Sequence, residues 1–324
     1  MTLAPRPDWA DKYAKPELDT RFFDIAALME RHQLSRALAV ELQNHFRDLA
    51  RAEPDGDRQS QYAEALRRAK AGEFEDHRDL DRLAKAPFIV VFDLDETLYD
   101  QHIRDPALIE TCADLSVPRS NGKTRHIKLN PGWADAIERI HALGGAVVLF
   151  SANLDDTCYA NAAAWTLGGV PLLEHPAIAG MLTNSHLVLQ PKQAGDPVSE
   201  PSKDLRIVDP DLSRTIIVDD NPRRLFQFRN VRVYKKFLGE AYCRSADPAA
   251  RAAHEGGLPQ VMVEIEDALA YVQSHPGTGF AHAYLPYTTL GRLAVNWLQH
   301  GTGMKRTAAI EHLRAHPELA DEDF

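Results

Sequence analysis

The sequence predicts an α/β fold built on a parallel sheet, and three runs of residues carry that prediction. Phe88-Ile89-Val90-Val91-Phe92, Ala146-Val147-Val148-Leu149-Phe150 and Thr215-Ile216-Ile217-Val218 are short, continuous and mostly β-branched or aromatic. That is the pattern of strands buried on both faces. Helical periodicity lies between the runs, and each run stops at polar residues: Asp93-Leu94-Asp95, Ser151-Ala152-Asn153 and Asp219-Asp220-Asn221-Pro222. Open parallel sheets bind ligands at the carboxyl ends of their strands. A desolvated carboxylate needs a partner or a cation, so Asp93 and Asp95 stand where chemistry is expected.

Composition sets the outer bounds. A chain of 324 residues with 44% hydrophobic content has ample material for a packed interior. A formal net charge of −10 and a pI near 5.8 argue against general nucleic-acid binding and against an anionic membrane surface. Cys112, Cys158 and Cys243 are odd in number, far apart and without a C-x-x-C pair. They suggest neither a disulfide nor a zinc framework, and a reducing cytoplasm fits them best. Residues 1–11 are polar and proline-broken where a signal peptide would be apolar, and no apolar run reaches membrane-spanning length.

Taken in order, residues 1–86 read as a helical N-terminal extension. Phe22, Phe23, Ile25, Leu28 and Met29 cluster on a short amphipathic segment. After Ser35, a natural N-cap, Leu38, Leu42, Phe46 and Leu49 recur at helical spacing. Glu53-Pro54-Asp55-Gly56-Asp57 breaks the pattern before a third helix from about Ser60 to Ala71. Short amphipathic helices need a surface to bury against, which favours a layer packed on the α/β domain over a recognition appendage. From Pro87 a β/α rhythm begins, with a helix expected over Pro131 to Leu143 and a further strand over Val231 to Tyr234. The segment 179–202 reads as a small hairpin-like insert, and Pro259 to Ser274 as a closing helix. Residues 276–324 form a helical C-terminal extension in which Leu290, Leu293, Val295, Trp297 and Leu298 cluster before an acidic tail.

The strand-end residues carry a resemblance. Asp93-Leu94-Asp95-Glu96-Thr97 after a hydrophobic strand resembles the first motif of the haloacid-dehalogenase-like (HAD) phosphatases, in the version used by the FCP1/SCP-type (NIF) branch. Ser151 matches the second motif, Lys203 in Ser202-Lys203-Asp204-Leu205 the third, and Asp219-Asp220-x-Pro the fourth. Asn221 stands where many relatives have a small polar residue. The likeness spans residues 87–275 and implies a HAD-like Rossmannoid core, a three-layer parallel sheet with helical extensions at both ends.

What the resemblance implies about chemistry agrees with elementary electrostatics. Asp93, Asp95, Asp219 and Asp220 would converge on one volume, where two unit charges about 4 Å apart repel by roughly 4 kcal/mol at an effective dielectric near 20. Cations are therefore required, and hard oxygen ligands with no neighbouring His or Cys point to Mg²⁺. The resemblance assigns carboxylates of Asp93 and Asp220 and the backbone carbonyl of Asp95 to the metal. It gives Lys203, Ser151, Ala152 and Asn153 to the phosphate, and to Asp219 the task of holding Lys203. Asp93 would be the nucleophile that becomes an aspartyl-phosphate, and Asp95 the general acid and then base. Thr97 and Asn221 would support the loop.

The expected function is a Mg²⁺-dependent phosphomonoester hydrolase acting on phosphoserine or phosphothreonine in a protein. The interval from Asp95 to Ser151 reads as a loop and a helix, with no large cap to exclude bulky substrates. A phosphatase for a small phosphorylated metabolite or nucleotide is the alternative if the N-terminal helices form a lid, and a catalytically inactive HAD-fold interaction module is the alternative of another class. Asn121-Gly122-Lys123-Thr124 has the end of a P-loop without its first glycine or its strand. Arg119, Lys123, Arg125 and Lys128, and later Arg223, Arg224, Arg229 and Arg232, are candidate positive rims. His312 and His316 lack a third metal ligand.

Overall fold

The computed structural model describes residues 22–74, 78–119, 122–190, 200–225 and 227–321. The readings made for residues 1–11, Asn121, the polar stretch 191–199 and the last three residues fall outside them. Among the described residues the strands are β1 (Ile89–Phe92), β2 (Tyr99–Asp100), β3 (Leu115–Pro118), β4 (Thr124–Leu129), β5 (Ala146–Phe150), β6 (Thr166–Leu167), β7 (Val170–Pro171), β8 (Ile178–Leu182), β9 (Val188–Gln190), β10 (Glu200–Ser202), β11 (Thr215–Asp219) and β12 (Val231–Val233).

The three apolar runs become the middle of one five-stranded sheet of order β12-β11-β1-β5-β8. All four pairings are parallel. Phe92 sits between Val218 and Leu149, so the polar residues after β1, β5 and β11 emerge side by side at one end. Because strand side chains alternate, each buried run feeds two cores. Val90, Phe92, Val147, Leu149, Ile216 and Val218 pack with Ile137 and Ile140 of the helix Trp133–Ala142 and with Val261 and Ile265 of the helix Gly257–Ser274. Ile89, Val91, Val148, Phe150 and Ile217 face the other way, against Leu28, Val40, Leu42, Phe46 and Tyr62.

The N-terminal helices Ile25–His32, Arg36–Ala52 and Arg58–Lys70 are thus the third layer. Asp24, Ser35 and Asp57 cap them, each side chain accepting a backbone N–H of the first turn. A glycine pair delivers the chain to β5. Gly144, at φ +83°, turns it out of the preceding helix, and Gly145 passes where a Cβ would stand 2.4 Å from the Phe88 ring. At the other end, Leu285, Val295, Leu298 and Leu313 join the helices Thr289–Thr302 and Arg306–Ala315 into a small separate core. Leu293 and Trp297, expected in that cluster, lie on the outer face instead, 60% and 54% exposed.

Three further expectations are corrected. The interval from Asp95 to Ser151 contains a three-stranded antiparallel sheet of order β2-β4-β3, with Tyr99 opposite Leu129 and Val117 opposite Arg125. Its strands are short and polar, so they carry no local signal above that of a loop. Ala179 opens no insert: it lies in β8, a fully buried strand of the central sheet, and only β9 and β10 form the hairpin. Cys112 and Cys243, 131 residues apart, form a disulfide. The chain brings them together because the Gly239 N–H donates to Asp100 and Arg244 pairs with Asp105, which docks the helix Gly239–Arg244 on the helix Pro106–Thr111. The inference of a reducing compartment loses its support with that bond. No helix among the described residues is long and apolar enough to cross a membrane.

Candidate active site

β1 ends by delivering Asp93 into a buried position, and the adjacent β11 delivers Asp219 beside it. Lys203, 1% exposed, lies between them: its Nζ donates to Asp93 Oδ1 at 2.6 Å and to Asp219 Oδ2 at 2.6 Å. The lysine is placed by the fourth-motif loop, since its own N–H donates to the carbonyl of Arg224 at 2.8 Å. Burial works against charge on the lysine, but Asp219 and Asp93 outweigh it and hold the ammonium above its ordinary pKa. Burial pushes the Asp93 carboxyl well up, with Lys203 opposing and Asp219 and Asp95 adding to the rise.

Asp95, two residues on, has a different neighbourhood. Its Oδ2 accepts from Asn153 Nδ2 at 2.6 Å and Ser151 Oγ at 3.3 Å, while Oδ1 accepts from Gln101 Nε2. Burial pushes this carboxyl up to about 6, with the Asn153 and Ser151 hydrogen bonds pulling the other way. Between strand and loop the chain bends at Glu96, which adopts φ +58°, a left-handed conformation that costs a non-glycine residue about 1 kcal/mol or more. Contacts on both sides hold it: the Glu96 N–H donates to Tyr99 O, its carbonyl accepts from the Phe237 N–H, and its side chain pairs with Lys236. Thr97 is fully buried, its hydroxyl 3.5 Å from Asp220 Oδ1 and its carbonyl accepting from Asn130 Nδ2 at 2.6 Å.

Asp93, Asp219 and Asp220 each offer a carboxylate oxygen within 4.8 Å of the others; among the described residues no other trio of acids, histidines or cysteines is so close. Asp220 Oδ2 is buried without a hydrogen-bond partner, the Lys236 Nζ standing 3.7 Å away. Burial, followed by the charge of Asp219, raises the Asp220 carboxyl. An orphaned carboxylate oxygen among hard oxygen donors suits a divalent cation such as Mg²⁺. The grouping differs from the expected carboxylate pair by including Asp219, although Asp219 already accepts from Lys203 and from the Asn221 N–H at 2.7 Å. Asn221 also caps the following turn by accepting from the Arg223 N–H.

These groups line one open cavity of about 370 Å³ together with Ala152, Asn153 and Ser151. Three of its walls were not singled out from the sequence: Glu96, Gln101 and His102. Gln101 and His102 follow β2, and only the pairing of β2 with β4 turns them over Asp95. Of the basic residues named as candidate rims, Arg224 alone reaches the pocket among the described residues. Arg125 is buried on Asn161 and Thr157, Arg232 is paired with Glu264, and Arg229 with Asp321. No described residue before Asp93 contributes to the lining.

Residues 88–244 match the sequence family described as NLI interacting factor-like phosphatase. Two solved structures resemble the chain. One is a variant of the fission yeast RNA polymerase II CTD phosphatase Fcp1 bound to beryllium fluoride, at 13% identity and a TM-score of 0.34, covering 69% of each chain. The other is Fcp1, an essential RNA polymerase II CTD phosphatase, at 14% identity and a TM-score of 0.35, again over 69% of each. No curated protein matches the sequence significantly.

Proposed function

We propose, from the match of residues 88–244 to the family described as NLI interacting factor-like phosphatase, that the chain is a Mg²⁺-dependent phosphoserine/phosphothreonine protein phosphatase working through an aspartyl-phosphate. The observation that carries the reading is the unequal treatment of two acids on one strand end. Asp93 is locked to a buried lysine, whereas the side chains that hydrogen-bond to Asp95 among the described residues are all neutral.

Mg²⁺ would be held by the carboxylates of Asp93 and Asp220 and the backbone carbonyl of Asp95, and when bound it would neutralise charge on the phosphoryl oxygens. In the first step Asp93 attacks phosphorus, the bond to the substrate oxygen breaks, and Asp95 gives its proton to that oxygen. In the second step water attacks phosphorus, Asp95 takes its proton, and the acyl-phosphate bond breaks to return Asp93. Lys203 keeps Asp93 oriented and offsets charge on the transferred group, with Asp219 holding the lysine. Ser151, Ala152 and Asn153 are placed to receive the phosphoryl oxygens, and Thr97 and Asn221 to steady the loops that carry Asp95 and Asp220.

The open mouth favours a phosphorylated side chain on a protein. The helices from Ile25 to Lys85 cover the sheet face and add no wall to the pocket among the described residues, which disfavours a lid over a small metabolite. The inactive-module alternative would have to retain Lys203 buried between two carboxylates for no purpose. The deciding experiment is hydrolysis of an aryl phosphate and of phosphoserine peptides, with Mg²⁺ and with chelator, beside Asp93→Asn. Mg²⁺-dependent turnover that Asp93→Asn abolishes while the protein stays folded is the expected result; an unaffected rate in that variant would remove Asp93 as nucleophile.

A further inference from the structure

A second cavity, of about 550 Å³, lies at the end of β12, and its charge is the reverse of the first. Lys235, Arg292, His254 and Arg232 line it together with Gln260 and Gly257, and no Asp or Glu does among the described residues. In a chain with 47 acidic and 37 basic residues, a carboxylate-free wall of this size is a local inversion of charge. Arg232 is already neutralised by Glu264, at 3.0 and 3.1 Å. The side chains of Lys235 and Arg292, both exposed, make no hydrogen bond or ion pair among the described residues. Two positive groups share one concavity whose described lining holds no carboxylate. Such an arrangement gains when an anion enters, because the low-dielectric walls focus their field on whatever sits between.

Its position relates it to the catalytic pocket. Val233, the last residue of β12, is paired in register with Asp219 of β11. Lys235 follows two residues later, and its neighbour Lys236 reaches back to Asp220 Oδ2 at 3.7 Å. The helix Gly257–Ser274, which starts at this cavity, packs at Gly257 so closely on Tyr234 that a Cβ would lie 2.2 Å from the hydroxyl. The two cavities therefore flank each other at the carboxyl end of the sheet, one or two strand spacings apart, on the order of 10 Å. An extended peptide covers that distance in about three residues.

We infer that the cavity bounded by Lys235 and Arg292 is an anion subsite for a second phosphate on the same peptide, so that the substrates are multiply phosphorylated segments. The inference rests on the phosphatase reading for what occupies the first pocket. Its chemistry is charge-assisted hydrogen bonding: the Arg292 guanidinium presents a fork of N–H donors and the Lys235 ammonium a compact charge, with His254 as a further polar wall.

The test uses the full chain carrying Asp93→Asn, with Mg²⁺ present, so that peptides bind without turnover. Fluorescently labelled Ala/Gly/Ser peptides carry either one phosphoserine or two, spaced two to five residues apart, and binding is read by anisotropy. The best doubly phosphorylated peptide should bind about tenfold more tightly than the single one. Adding Lys235→Ala and Arg292→Ala should erase the difference, while the same two substitutions in the otherwise unaltered chain leave aryl phosphate hydrolysis unchanged. Equal binding of the two peptides, or an advantage that survives in the double variant, overturns the subsite. Absence of aryl phosphate hydrolysis by the unsubstituted protein would instead overturn the phosphatase reading, and the binding contrast would still report on the cavity.

Discussion

The two sides of the catalytic pocket solve opposite problems with residues only a few ångströms apart. On the β11 side, charge meets charge: Lys203 stands buried between Asp93 and Asp219. On the β5 side, Asp95 meets only an amide from Asn153, a hydroxyl from Ser151 and an amide from Gln101. A buried ion pair fixes protonation states, because breaking it leaves an uncompensated charge. Neutral donors fix orientation while leaving the proton free to come and go. The proposed nucleophile needs the first environment and the proposed general acid the second, and the loop that leaves β1 supplies both by setting Asp93 beside β11 and Asp95 beside the end of β5.

The strongest attack on that contrast is at the lysine. Lys203→Met leaves Asp93 and Asp219 facing each other without a cation, so a loss of about 3–5 kcal/mol in unfolding free energy is expected. Turnover of every phosphate ester should fall about 10³-fold, since the lost charge serves the transferred group whatever the leaving group is. Thermal or urea unfolding and steady-state kinetics check the two halves. A variant as stable as the parent would mean that Lys203 is not the counter-charge of this site.

Asp95→Asn probes the other side and should be more selective. The substitution keeps the size and removes the proton, so an alkyl ester such as a phosphoserine peptide should lose about 10²-fold in its first step. An aryl phosphate, whose leaving group departs unassisted, should lose far less in that step. The ratio of the two first-step rates, measured by single-turnover quench, is the readout. Equal losses would place Asp95 in structure and not in proton transfer.

Much of this contrast was legible in the sequence, for a physical reason. Strand runs such as Phe88–Phe92 and Thr215–Val218 are local signals, and the acids that end them gain their meaning from adjacency in a parallel sheet. Ser151 and Lys203 are likewise recognisable, because one follows a strand end and the other opens a Lys-Asp-Leu run, in the expected order along the chain. Gln101 was not legible: it reaches Asp95 only because Tyr99 pairs with Leu129, thirty residues on, in strands too short and too polar to announce themselves. The Cys112–Cys243 bond failed for the same reason over a larger separation, since nothing near either cysteine encodes the docking of Gly239 on Asp100. The N-terminal helices stood between these cases. Their amphipathic spacing required a partner surface, and only the sheet topology, with Val91, Val148 and Ile217 on one face, says which.

The smallest effect expected is also the one that joins the two sides. Burial raises both Asp93 and Asp95 above the ordinary carboxylate pKa, Asp95 to about 6. Between the unfolded value and the raised one the folded state holds more protons than the unfolded chain, so stability contributed by these groups falls as pH rises through that window. At pH 7 the acids are then a burden on the metal-free fold, and at pH 5 much less of one. A divalent cation held by the carboxylates of Asp93 and Asp220, the second of which burial also raises, binds their ionised form and should relieve their part of the burden. Mg²⁺ at about a hundred times its dissociation constant adds about 2.7 kcal/mol, which for a chain of this size is a rise of several degrees in melting temperature at pH 7. The same Mg²⁺ concentration at pH 5 should give a smaller rise, because protons already occupy the carboxylates. Calorimetry at the two pH values decides the matter: equal gains would show that the ion does not compete with protons at these aspartates, and would break the link between the pocket's acid cluster and its cation.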